Sequence, residues 1–238
     1  MRQRLTRIRA ALRRHLVLTV TAAVVPGAVL ATGAAEFTAR SVLRERVATA
    51  APALGDGVSV RAAGGLLLWD LGRGSIPHLD VSSDDARIGR LSHVRVRARL
   101  DGVRLGDRAS VAGTRAQVTA SPQSIAAAIR GAAPSVPVAA VTTDPAAGTV
   151  LAAVGPGGAG QLTLRPVLAR GKVTLAVEGF TVFGRSVPTA RLGLGEGGLG
   201  AEAGGRDYPL GLTATSVQVR PDGVHVALTG GPGALPGT

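Results

Sequence analysis

The sequence predicts an α+β fold: a curved, mostly antiparallel β-sheet with two amphipathic helices, preceded by an N-terminal hydrophobic helix. Three observations carry this. Beyond Pro52 the apolar residues recur with a period of two, the spacing of strands with one dry and one wet face. Near the C-terminus, Pro221-Asp222-Gly223 separates two such runs and supplies the preset φ and the positive-φ glycine of a tight hairpin turn. Hydrophobic residues make up 45% of the 238, but aromatics only 2%, so the interior is built from Val, Leu and Ala, which suits strands better than stacked rings. The 34 Gly and 14 Pro make about a fifth of the chain, below the roughly 25–30% that marks low complexity, and a single folded domain is expected.

The first element is a leader over residues 1–35. Arg2, Arg4, Arg7, Arg9, Arg13 and Arg14 precede an uncharged run at 16–35, and Glu36 ends it. A charged stretch followed by an apolar one directs a chain to an export translocon, with the positive charge held on the cytoplasmic side. Two outcomes fit. As a helix the run reaches about 30 Å, enough for a signal anchor; alternatively Pro26 breaks it and the small residues at 31–35 provide a cleavage site. Arg13-Arg14 is a poor match to a twin-arginine signal in its flanking residues.

Residues 36–230 form the expected domain. A helix is predicted over 36–51, with Phe37, Leu43, Val47 and Ala50 on one face and Pro52 beyond its end. Strands follow at 58–62, 76–81, 91–105, 115–119, 136–142, 150–154, 162–168, 173–177 and 180–183, separated by turn residues at Asp144-Pro145, 155–160 and 170–172. Between the fourth and fifth of these, Ser121 can cap a second helix that starts at Pro122, carries Ile125, Ala126 and Ile129 as its apolar stripe, and stops before Gly131 and Pro134. The hairpin at 212–229 closes the domain, and the chain past Gly230 reads as a disordered tail.

The formal charge of +12 suggests nucleic acid until its distribution is considered. Without residues 1–35 the chain has 21 basic and 15 acidic residues, a net of +6, and aromatic stacking residues are almost absent, so a nucleic-acid partner is not expected. With no Cys, disulfides, thiol catalysis, Cys-ligated zinc and iron–sulfur clusters are excluded. His78, His93 and His225 share no metal-ligand spacing and read as surface strand residues, and Asp84-Asp85 lacks the alternating oxygens of a calcium loop. No Ser lies in a nucleophile elbow. The two G-x-G-x-x-G matches, at Gly155, Gly157 and Gly160 and at Gly193, Gly195 and Gly198, lead into strand or loop rather than a helix N-terminus, so neither is a dinucleotide site. No enzyme, cofactor or metal is expected.

Two segments do point to binding. In 93–101, period two puts Arg95, Arg97 and Arg99 on one strand face and Val94, Val96, Ala98 and Leu100 on the other. Guanidiniums about 6.6–7 Å apart suit phosphate oxygens, although a solvated Arg-rich face is the blander reading. Leu66, Leu67, Leu68 and Trp69 form a run too short to span a membrane. It is either core, the lining of an apolar pocket, or a contact with a bilayer interface, where Trp is favoured. Phe180 and Phe183 complete the set of candidate lipid contacts.

The order of these segments resembles the LmeA-like family of phospholipid-binding cell-envelope proteins of actinobacteria. The carriers are the export segment and helix, VSVRAAGGLLLWDLGRGSIPHLDVSS at 58–83, LDGVRL at 100–105, and YPLGLTATSVQVRPDGVHVALTG at 208–230. Members typically carry a Phe-Pro pair in the first block, where this chain has Gly64-Gly65-Leu66-Leu67. The resemblance implies a protein beyond the cytoplasmic membrane that binds anionic phospholipid and supports envelope glycolipid metabolism without performing its chemistry. By analogy it also implies a sheet curled around a helix, as in tubular lipid-binding domains. The competing expectation is a membrane-tethered interaction domain whose partner is another envelope protein.

Overall fold

The computed structural model describes residues 57–63, 73–88, 91–104, 109–132, 134, 136–188, 208 and 211–234. The leader, the helix expected over 36–51 and the run Leu66 to Trp69 lie outside them. Among the described residues no helix is long and apolar enough to cross a membrane.

Strands β1 (Ser59–Ala63), β2 (Ser75–Ile88), β3 (Leu91–Arg104), β4 (Ser110–Val111) and β5 (Gly113–Ala120) lead to one helix, α1 (Pro122–Ala132). Then come β6 (Val138–Asp144), β7 (Thr149–Val154), β8 (Gly160–Ala169), β9 (Lys172–Val182), β10 (Arg185–Ser186), β11 (Thr213–Arg220), β12 (Gly223–Gly230) and β13 (Gly233–Ala234). Every pairing among them is antiparallel.

The expected single curved sheet is instead two sheets that do not close on each other. The first runs β1-β2-β3-β5-β12-β11 with β4 and β13 at its margin; the second runs β10-β9-β8-β7-β6. The division shows in how the central strands pair. After β3 has paired with one side of β5, the C-terminal strand β12 takes the other, matching Val226 to Val118. The intervening strands pair with their sequence neighbours as a meander of their own.

The second helix of the sequence reading is present and starts as its cap predicts. Ser121 Oγ accepts the Ser124 backbone N–H at 3.2 Å. Ser121 Oγ also lies 2.9 Å from Ser124 Oγ, which donates to the His93 carbonyl at 2.8 Å, so the cap fastens the helix to β3. Ile125 and Ile129 then face a core made with Val150, Ala152 and Val154 of β7, Leu162 and Leu164 of β8, and Ala120 and Val224 of the first sheet. A second cluster joins Val94, Val96, Ala116 and Val118 to Ala86, Leu212, Ala214 and Leu228.

Two departures from the predicted strands have local causes. β2 runs to Ile88 rather than ending near Val81, because an irregular register between Ser83 and Ala86 breaks the alternation at Asp84-Asp85. The two strands expected at 173–177 and 180–183 are one, β9, in which the extra residue Glu178 between the pairs Leu164–Val177 and Thr163–Gly179 flips the pattern half-way. Beyond Gly230, Gly233–Ala234 still pairs with β4.

Candidate functional site

The outward face of the first sheet carries the arginine ladder. Val94, Val96 and Leu100 are buried, Ala98 is partly so, and Arg95, Arg97 and Arg99 are exposed on the opposite side. Register adds what one strand could not show: Arg95, Arg97 and Arg99 of β3 stand opposite Thr119, Gln117 and Arg115 of β5. On the far side of β5, His225 of β12 stands opposite Thr119.

The three arginines are not equivalent. Arg95 donates from Nε to Asp84 Oδ1 at 3.0 Å, a contact supplied by the β2 irregularity. Arg99 donates to Asp101 Oδ1 at 3.3 Å, and the same carboxylate accepts from Arg115 at 2.7 Å and lies 2.8 Å from His78 Nδ1. The Arg115 hydrogen bond above all, then that of His78, holds the Asp101 carboxyl below its usual range, against a smaller opposing effect of burial. Among the described residues Arg97 has neither an ion pair nor a hydrogen bond.

Arg97 borders a depression of about 90 Å³ lined also by Arg95, Gln117, Thr119, Asp222 and His225. His225, expected at the surface, is only 15% exposed in its side chain, since the β11–β12 turn brings Asp222 over it; Nε2 lies 2.7 Å from Asp222 Oδ1. A carboxylate only accepts, so Nε2 carries the proton in this contact. The buried Nδ1 has no hydrogen-bond partner among the described residues. The His225 hydrogen bond in turn holds Asp222 below its usual range. The guanidinium, amide and hydroxyl groups of the lining can all donate to an oxyanion.

A family model for LmeA-like phospholipid-binding proteins matches residues 30–229. The chain belongs to that family. No curated protein and no solved structure matches it significantly.

Within this LmeA-like chain the predicted site residues separate. Arg95 and Arg97 meet at the depression, while Arg99 is drawn into the Asp101 network. Phe180 is half-buried and packs against the core around α1. Phe183, three residues on, is 83% exposed. Leu66, Leu67, Leu68 and Trp69 are outside the described residues. Sequence reasoning missed Gln117, Thr119, Asp222 and His225. The alternation of β5 marked Gln117 and Thr119 as outward, but which strand lay beside them is a long-range pairing with no local signature. Gly155 to Gly160 forms a turn around Pro156–Gly158 that leads into β8, in keeping with its reading as no dinucleotide loop.

Proposed function

We propose that this protein is an exported or membrane-anchored phospholipid-binding protein of the cell envelope, which supports envelope lipid and glycolipid maintenance without catalysis, and that the depression beside Arg97 receives the lipid phosphate. The family match is the observation that carries the reading. Arg97 supports the location: an exposed guanidinium with no carboxylate partner among the described residues keeps its donors for a ligand. The hydrogen-bond donors of the lining suit the oxygens of a phosphodiester, as in an anionic phospholipid, and the volume suits a headgroup phosphate rather than a hydrocarbon tail.

Affinity must then come mainly from the acyl chains, at roughly 0.8 kcal/mol per buried methylene. Leu66, Leu67, Leu68 and Trp69 are the proposed apolar contacts, and Phe180 a further one. The Arg-rich leader and the uncharged run at 16–35 support export, and an uncleaved run would attach the protein to the outer face of the cytoplasmic membrane.

The test is to purify the full chain, extract it with organic solvent and identify the extract by mass spectrometry, alongside exchange with added phosphatidylglycerol. A co-purifying or exchangeable anionic phospholipid is expected, with retention reduced in Arg97→Ala. Absence of both overturns the proposal.

A further inference from the structure

Phe183 is unfavourable twice over within the fold. It occupies the first position of the two-residue turn between β9 and β10, where Phe183 has φ +48° and Gly184 φ +76°. Positive φ at both central residues is the signature of a turn that favours Asn-Gly or Asp-Gly, and a bulky side chain there is strained. The residue is also 83% exposed, so packing against the described residues does not compensate. A strained and solvated aromatic has its favourable contact elsewhere.

We infer that the Phe183 turn is a membrane-inserting tip, its ring entering the acyl boundary of an anionic bilayer while Arg185 meets the phosphates. This rests on the phospholipid-binding reading and adds how the protein meets the lipid surface. The surroundings argue for a bilayer over a protein partner. The turn is tied to its neighbour by the Phe183 N–H donating to the Ala159 carbonyl at 3.0 Å, and that neighbouring loop is Gly155, Pro156, Gly157 and Gly158. Pro156 and Gly157 are exposed, as are Gly184, Arg185 and Ser186. Such a rim has too few large side chains for the well-packed patch of over about 1,000 Å² that a specific protein interface requires. A fluid acyl boundary needs no matching pocket, and an apolar ring beside a guanidinium is the amphipathic pairing that interfaces favour.

The chain has no Cys, so Ser186→Cys accepts a single fluorescent reporter beside the tip. The full-length labelled protein is added to vesicles of equal parts phosphatidylglycerol and phosphatidylcholine carrying acyl-chain quenchers. Quenching is expected, with Phe183→Asn in the same chain reducing it at least tenfold without lowering the thermal unfolding midpoint, since Asn suits the turn. Equal quenching in Phe183→Asn, or a lower midpoint, overturns the inference. Binding of soluble short-chain phosphatidylglycerol, measured on the same preparation, separates the two readings. If that lipid binds while the reporter stays unquenched, the tip alone fails; if the reporter is quenched and no short-chain lipid binds, the headgroup site fails and the tip stands.

Discussion

Arg97 and Gln117 face each other across β3 and β5 at the edge of the polar depression, and among the described residues Arg97 has no carboxylate mate although Arg95 and Arg99 on the same face each have one. An arginine ladder read from sequence as three equal phosphate ligands thus becomes one free guanidinium between two that are engaged. Removing it deprives a bound phosphate of a charge-assisted contact worth ~1.5–3 kcal/mol. Arg97→Ala is therefore expected to weaken phosphatidylglycerol binding about tenfold to a hundredfold. Arg99→Ala, outside the depression, is expected to change it less than about threefold. Equilibrium binding of short-chain phosphatidylglycerol to both variants checks this; equal losses would place the phosphate elsewhere on the face.

Asp101 predicts an acid dependence of stability. Its pKa is lowered in the folded protein, first by Arg115 and then by His78, so its contribution is present above the ordinary value of 3.8 and is lost as pH falls through the lowered one. Asp101→Asn should be less stable than the parent at neutral pH, and the gap should close at the acid end. Urea unfolding midpoints followed from neutral pH to below 3.8 measure it, and a gap that persists undiminished in acid would show that the carboxylate charge is not what Arg115 and His78 stabilise.

The hairpin that positions Asp222 depends on a close approach. A Cβ on Gly223, at φ +140°, would overlap the Ala120 carbonyl oxygen, with Ser121 Cα also within reach. Gly223→Ala should destabilise the protein by about 3 kcal/mol, from backbone strain and overlap together. Gly231→Ala, with open space around its Cβ, should stay within ~0.5 kcal/mol. Denaturant midpoints of the two variants decide, and similar values would mean that β12 and β5 can separate at little cost.

Ser124 is 1% exposed and its hydroxyl joins the helix cap to the His93 carbonyl. Ser124→Ala removes that buried hydrogen bond and leaves its acceptor unmatched, with an expected loss of ~1–2 kcal/mol. Ser121→Ala removes the cap and is expected to lose about 1 kcal/mol. Because the two hydroxyls bond to each other at 2.9 Å, the double variant should lose less than the sum, which a double-mutant cycle measures.

What the sequence determined by itself was local. The alternation at 93–101 put its arginines outward, the Ser121-Pro122 pair started the helix, and Pro221-Asp222-Gly223 made the turn, because each depends on residues within one turn or strand. Strands whose period was interrupted at Ser83–Ala86 or Glu178 were misjudged in extent, since a bulge changes the face of every residue beyond it. Only the tertiary structure decided that β12 takes the free edge of β5, that the strands divide into two sheets, and that Gln117, Thr119, Asp222 and His225 gather around Arg97. Pairing between distant strands is chosen by the burial and hydrogen bonding of the whole chain, so the partners of an outward side chain emerge only when the sheet is assembled.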